Sequence, residues 1–436
     1  MSDPDPAVPD APFPALGATR RFFLRGSLGF GGAMLVGCES SGSLGDDDDD
    51  ATDDDDAVDD DDATDDDDAV DDDDATDPCD ELAEALAGGT FVRSLEFLGI
   101  TRDLDQNLNR ELDGRRYVDL TNVDPTGDGV LSNEDFYIRT MASEVLPPAE
   151  GWTVTISGLV DSELELTIDA LVKRSTDQGL KTLECSGNGG GGGFGLLSTA
   201  QWGGVPLMEL LEEAGIDPAA TAVRVTGFDT YESPSNFSTP GAEWVFPLDQ
   251  ITEYGGFLAT QMNGEPLPLH HGRPVRLYMP RWYGCTNIKW VQTIELVDDS
   301  VESTSQMREF AGRTHQPGVP EFARDFIPAT QDQAAMPIRV EQWEVDGEVV
   351  HRIVGVCWGG YEITTALGIR VDEGPREDVT VCTGQTDNDY WGFWEHIWRP
   401  SRPGFYDIAL EVTDSSIRTR RLDTGFYTRT VEVVDA

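Results

Sequence analysis

Thr182-Leu-Glu-Cys185-Ser-Gly-Asn188-Gly-Gly-Gly-Gly-Gly-Phe-Gly195 joins one cysteine to a run almost without side chains. A thiolate placed there is a nucleophile or a soft metal ligand. A free cysteine is also often just a small buried apolar group. The glycines let backbone N–H groups approach a large anionic ligand closely. Gly-Lys-Ser/Thr does not follow, so this is not a Walker loop. A dinucleotide fingerprint is excluded as well, because the helix with its downstream acid is missing.

The next motifs follow in order. They are Trp202-Gly-Gly-Val-Pro-Leu-Met-Glu-Leu-Leu-Glu-Glu-Ala-Gly215, Met262-Asn-Gly-Glu-Pro-Leu-Pro268, His271-Gly-Arg-Pro-Val-Arg276 and Gly284 to Trp290. Together with Cys185-Ser-Gly-Asn188 this series resembles the sulfite oxidase family of molybdopterin enzymes. The resemblance covers most of residues 130–300 and, more weakly, 330–436. It implies that Cys185 is the protein's thiolate ligand to molybdenum. It also implies that His271, Arg276 and Lys289 grip the pterin phosphate, that Asn287 and Ile288 add backbone contacts, and that Asp229 touches the pterin. Imidazole, guanidinium and ammonium groups suit an anion. Read alone, His270 and His271 would be zinc candidates, but adjacent histidines make a poor zinc pair.

Upstream, Asp124-Pro-Thr126-Gly-Asp128-Gly129-Val-Leu-Ser132-Asn-Glu-Asp135 has the spacing of a calcium loop, with polar groups at positions 1, 3, 5 and 9, glycine at 6 and an acid at 12. Leu131 to Arg139 competes for the same residues, since it resembles the family segment that delivers an arginine, here Arg139, to the cofactor. Where the family has Asn-His, this chain has Thr140-Met141. Two further departures concern substrate. The family places an arginine two residues after the motif's asparagine and another after the Gly-Gly of the second domain. Here those positions hold Gly190 and Tyr361 or Glu362. A small dianion such as sulfite loses two guanidinium contacts, and the glycines are expected to widen the pocket. Arg281 and Arg313 are the candidates to compensate.

Around this centre the chain reads as α+β. Strands are expected at Trp152–Gly158, Leu164–Ile168, Lys181–Glu184, Ala222–Gly227, Gly256–Met262 and Val275–Met279. Helices are expected at Ile168–Arg174, at Leu207–Ala214 capped by Gly215, and as a turn at Pro247–Glu253. Residues 300–335 read as a polar connector. From Pro337, short strands with turn signals predict an immunoglobulin-like β-sandwich, at Ile338–Trp343, His351–Trp358, Ile363–Val371, Val379–Cys382, Phe405–Thr413 and Thr428–Val434. In the family this domain mediates dimerisation, so a homodimer is implied. The domain reading is therefore 80–320 for the molybdopterin-binding part and 330–436 for the sandwich.

The amino terminus reads as address and tether. Thr19-Arg20-Arg21-Phe22-Phe23-Leu24-Arg25 matches the twin-arginine export pattern. Leu35-Val-Gly-Cys38 resembles a lipobox, so residues 1–38 are a signal segment and Cys38 is the lipidation site. The apolar stretch between is too short to span a bilayer. Acyl chains would anchor the protein, each buried CH₂ contributing roughly 0.8 kcal/mol. Residues 39–79 are a spacer whose 46–77 stretch holds 22 aspartates, a run that repels itself and cannot form a core. The whole chain carries −53 at pH 7 and stays acidic without that run, which argues against nucleic acid. A periplasmic or cell-surface, lipid-anchored protein follows, and the twin-arginine route suits cargo folded around a cofactor.

Six cysteines are present. Beyond Cys38 and Cys185, an exported protein permits disulfides among Cys79, Cys285, Cys357 and Cys382. Cys357 and Cys382 share the sandwich and are one candidate pair. Four cysteines allow three pairings, which the sequence leaves open. With no haem or flavin motif, oxo transfer needs an external electron carrier such as a c-type cytochrome. The alternative reading is a cofactor-free binding or structural lipoprotein that keeps the fold.

Overall fold

The computed structural model describes residues 79, 84–104, 113–141, 148–229, 242–360, 366–382 and 388–434. The signal segment, Cys38, the aspartate run and positions 361–362 lie outside the described residues. The described residues belong to one compact unit, Asp71–Ala436. None of their helices is long and apolar enough to cross a membrane.

Two five-stranded sheets build the central half. One runs Leu164–Thr167, Thr153–Gly158, Val291–Val297, Ala222–Gly227, Glu243–Pro247 in spatial order, with Thr153–Gly158 and Val291–Val297 parallel. The other runs Glu265–Pro266, Phe257–Met262, Leu197–Pro206, Thr176–Glu184, and Arg276–Tyr278 also pairs with Phe257–Met262. Alternate side chains of this second sheet enter different cores. Leu258, Leu277 and Met279 pack with Val154, Val225 and Ile294 of the first sheet. Phe257, Ala259, Tyr278 and Leu183 pack with residues of the carboxy-terminal half such as Val354 and Trp394. A sheet covered on both faces needs apolar residues at successive positions, which is why Leu197–Pro206 shows no alternating pattern.

Local chemistry fixes the short helices. Thr167 Oγ1 accepts from the Ala170 N–H at 3.2 Å and opens Ile168–Arg174. Gly215, at φ +76°, closes Leu207–Ala214. Asn263 and Gly264, at φ +53° and +75°, turn the Phe257–Met262 and Glu265–Pro266 hairpin. Asn263 Nδ2 also donates to Leu131 O at 2.8 Å, docking the segment that leads to Arg139.

The carboxy-terminal half is a sandwich. One sheet orders Thr90–Leu95, Ala334–Val345, Glu348–Trp358, Gly392–Trp398, Thr380–Val381, and the facing one orders Arg376–Asp378, Leu367–Val371, Gly404–Val412, Arg429–Val433. Ile338, Val340 and Ile353 meet Ile369, Ile408 and Val431 between them. Tyr406 Oη donates to Arg402 O at 2.6 Å, the corner bond typical of immunoglobulin-like domains. The strand Thr90–Leu95, inside the range 80–320 read as the first domain, is hydrogen-bonded to the sandwich. Residues 300–335 are more than a connector: they form the helix Ser305–Phe310 and bury Thr304, Thr314, Gln331 and Asp332.

Cys382 pairs with Cys79, 303 residues away, and not with Cys357. Cys357 lies on a central strand and points into the core, where burial pushes its thiol up to about 12. Cys382 follows the two-residue edge strand Thr380–Val381, within reach of the amino-terminal segment. Closing so long a loop restricts the unfolded chain, an effect of about 2–4 kcal/mol for typical disulfides. Cys79→Ser should therefore lower the melting temperature by several degrees. Alkylation mapping of the unfolded, unreduced protein should label Cys185, Cys285 and Cys357 while sparing Cys79 and Cys382.

Candidate active site

Cys185 follows the strand Thr176–Glu184 and is buried. Its N–H donates to Leu196 O at 3.0 Å, and its carbonyl accepts from the Asn188 N–H at 2.8 Å. Asn188 Oδ1 in turn accepts from the Leu196 N–H at 3.1 Å. The asparagine of the motif thus closes the loop that presents the thiol. Gly284 lies alongside: a Cβ there would stand 2.8 Å from Tyr137 Oη and 3.5 Å from Cys185 Cα. Burial pushes the nearby Cys285 thiol up to about 12.

The oligoglycine run serves a different end from the expected one. Gly190–Gly192 forms a 3-10 turn, and Gly191 O accepts from the N–H groups of Thr101 and Arg102 at 2.9 and 3.0 Å. A Cβ on Gly192 would fall 2.2 Å from the Tyr117 ring, and one on Gly195 2.2 Å from Val118 O. The glycines admit Thr101, Arg102, Tyr117 and Val118 at close range. That close packing involves Gly191, Gly192 and Gly195, while a Cβ on Gly189 would meet nothing within 4 Å.

Beside the thiol the structure gathers the remaining expected residues. His271 ends the turn Leu269–His271, Arg276 begins the strand Arg276–Tyr278, and Asn287 to Lys289 follow the turn Gly284–Thr286. Arg276 and Lys289 face each other in a β-bridge. Arg276 donates to His271 O at 3.1 Å and Asn287 O at 3.2 Å, and stacks 5.5 Å from the Trp202 ring. Lys289 Nζ donates to His270 O at 2.7 Å and Arg139 O at 3.0 Å, which ties the Arg139 strand to the cluster. Ile288 O accepts from the Leu277 N–H, and Asn287 Oδ1 from the Met279 N–H. Asp229 lies just beyond the strand Ala222–Gly227.

The charges there are unbalanced. Arg276 is fully buried, and among the described residues no carboxylate pairs with it or with Lys289. Burial, then Arg276, pushes the Lys289 ammonium well below its ordinary value. Burial likewise holds His271 well below the usual imidazole range and His270 at about 4. Asp229 is raised to about 7 by burial, against the opposing pull of Lys289. His271 Nε2 and Asp229 Oδ1 are buried with no hydrogen-bond partner. Buried cations and orphaned polar atoms are costly unless a ligand meets them. A phosphate-bearing, hydrogen-bonding group beside a buried thiol fits this donor set.

A profile for the oxidoreductase molybdopterin binding domain matches residues 142–305. The mitochondrial sulfite oxidase of Macaca fascicularis is 28% identical over 281 residues, 60% of this chain and 50% of that protein. Residues 142–305 therefore carry a molybdopterin-binding oxidoreductase domain similar to that of sulfite oxidases. The chain spans about half the length of the curated sulfite oxidases it matches. Nitrate reductase [NADH] 2 of Phaseolus vulgaris is 25% identical over 332 residues, covering 67% of this chain and 36% of that one. Among solved structures, the sulfane dehydrogenase SoxCD of Paracoccus pantotrophus superposes with a TM-score of 0.55 at 19% identity, over 81% of this chain and 92% of that chain. That likeness is one of fold.

The calcium spacing at Asp124–Asp135 yields no acidic cage among the described residues. Asp124 and Asp128 accept hydrogen bonds from Thr126 and Val130 of their own loop. Among the described residues, the only cluster of three metal-ligating types is Cys79, Cys382 and Glu395, which contains the disulfide. Arg281 is tied to Asp389 at 2.7 Å and is not available to a substrate. The sequence reading missed Glu184. It is buried, and accepts from Trp358 Nε1 and Tyr427 Oη, both at 3.0 Å. A glutamate directly before Cys185, in a buried strand, was the available signal.

The raised Asp229 has a consequence whose sign is fixed. Its folded value lies above its unfolded one, so the native state holds the extra proton between about pH 4 and pH 7. Stability present below that window is lost as pH rises through about 7. In protein made without cofactor, Asp229→Asn should raise the melting temperature at pH 8 by several degrees and change it little near pH 4. A gain independent of pH would contradict the assignment.

Proposed function

We propose that this chain is a molybdenum-cofactor oxidoreductase that carries out oxo transfer on a small sulfur oxyanion or a related substrate, exchanging electrons with an external carrier such as a c-type cytochrome. The observation that carries the reading is the buried Arg276, the half-buried Lys289 and the unpartnered His271 Nε2 beside a buried thiol, with no carboxylate paired to either cation among the described residues. When bound, the molybdopterin group supplies oxo transfer and two-electron storage. Cys185 would be the protein's ligand to the metal. His271, Arg276 and Lys289 would hold the phosphate, and Asp229 with the backbone of Asn287 and Ile288 the pterin. Tyr137 Oη stands beside the thiol, and burial keeps it protonated, so it is a hydrogen-bond donor there.

Sulfite is one candidate substrate. The family's arginine position after Asn188 is Gly190, so the anion must find its charge elsewhere. The cofactor-free alternative leaves Arg276 and Lys289 without an anion, a state that selection for fold alone would relieve with apolar residues. We further propose twin-arginine export, lipidation at Cys38 and a homodimer, on the amino-terminal motifs and the sandwich.

Metal analysis of the protein from its native membrane fraction tests the core of this. About one molybdenum per chain is expected, by the family's single-cofactor stoichiometry. Cys185→Ser should lose most of the metal or retain it with oxidoreductase activity down by orders of magnitude. Native protein without molybdenum would sink the enzyme reading.

A further inference from the structure

We propose that Arg313 is the cation that holds the substrate's anionic oxygens beside Cys185, in place of the arginine missing at Gly190. The inference rests on the redox reading above for the word substrate. Its geometric content, an oxyanion site, stands on this chain alone.

The placement comes from Gly187. The point where a Cβ on Gly187 would stand is 3.9 Å from Cys185 Sγ and 4.0 Å from Arg313 Nη1. Thiol and guanidinium therefore border the same small space, and a glycine keeps that space open. Arg313 ends the turn Ala311–Arg313, which continues the helix Ser305–Phe310, and its side chain is exposed. An anion can thus approach it from solvent. The Phe310 ring lies 5.1 Å under the guanidinium and restricts its swing.

Elimination supports the choice. Arg418 and Arg420 are bound to Asp332 at 2.5 and 2.6 Å. Arg281 is bound to Asp389. Arg421 faces Glu184 at 3.6 Å and stacks 4.8 Å from the Tyr283 ring. His315 accepts or donates at Tyr283 Oη over 3.3 Å, and burial, with Arg420 and Arg421, holds it at about 4, neutral at physiological pH. Among the described residues no carboxylate pairs with Arg313. It is the arginine of this group left with its charge unspent.

Arg421 fixes the distance. Its Nη2 donates both to Ser186 O at 2.9 Å and to Arg313 O at 3.2 Å. One guanidinium from the sandwich therefore clasps the loop after Cys185 to the turn that carries Arg313. The two halves of the proposed site are set by a third residue that needs no contact with substrate.

Sulfate, a non-reacting oxyanion, is the probe. Calorimetric titration would use the full-length protein, assayed for molybdenum, together with Arg313→Ala and Arg313→Lys. Wild type should bind sulfate, Arg313→Ala roughly 10- to 100-fold more weakly, and Arg313→Lys in between. All three should carry the same metal content. If sulfite is turned over, Arg313→Ala should raise KM by a similar factor and move kcat less. Equal sulfate affinity in wild type and Arg313→Ala, or no sulfate binding by wild type, would overturn the proposal. Sulfate binding that depends on Arg313 in protein lacking molybdenum would uphold the oxyanion site while ending the redox reading.

Discussion

Arg276 lies buried and Lys289 half-buried, with carbonyl oxygens as their hydrogen-bond acceptors and, among the described residues, no carboxylate in an ion pair with either. A carbonyl dipole stabilises a cation by roughly 1.5–3 kcal/mol net, whereas the effective penalty for burying an ion is several kcal/mol. The two do not cancel for a pair of like charges held together by a β-bridge. Much of the surrounding architecture follows from keeping that arrangement in place. The Asn287 side chain accepts from Met279 and donates to the carbonyls of Trp282 and Tyr283, which fixes the turn before Lys289. The Arg139 strand arrives through Asn263 and offers its carbonyl to Lys289. Such a site is stable when an anion fills it and expensive otherwise, so folding and ligand capture are coupled in this chain.

The sandwich belongs to the site as much as the central half does. The sheet that ends in Cys185 is covered on both faces, one of them by the carboxy-terminal core. Glu184 is the polar join. Its carboxylate is held by Trp358 and Tyr427 from the sandwich and by Asn188 from the cysteine loop. A buried carboxylate is tolerable when donors meet its oxygens, and three donors from two halves of the chain make the join specific. Asp389 does the same at a second point, holding Lys181 and Arg281 at 2.7 Å each. The thiol is thereby placed against both halves at once.

What was legible in the sequence was what local chemistry determines. The Leu207–Ala214 helix with Gly215, the Asn263-Gly264 turn and the sandwich strands are written in adjacent residues. The residues that gather beside Cys185 were legible because the motifs that resemble the family carry them. The doubly buried strand Leu197–Pro206 and the strand Gly392–Trp398 were not, since covering both faces erases alternation and their residues read as isolated motifs. The partner of Cys382 was set by which strand lies at an edge, a property of topology. The glycine run misled for a related reason. Glycine reports that something approaches the backbone closely, and composition cannot say whether that something is an anion or Tyr117.

That last ambiguity bears on how substrate charge is handled. With Gly190 in place of a guanidinium, the run from Gly189 could have been read as an emptied pocket. Instead Thr101, Arg102, Tyr117 and Val118 lie against its later part, and the amides of Thr101 and Arg102 bind Gly191 O. The close packing falls on Gly191, Gly192 and Gly195, whereas a Cβ on Gly190 would meet only the Phe194 ring at 3.6 Å. The charge proposed for the site enters where the turn Ala311–Arg313 and the sandwich's Arg421 meet the loop at Ser186. A guanidinium delivered from there is aimed differently at a bound anion. On the proposed reading, the shape of the oxyanion, and not merely its charge, is what moving the guanidinium would change.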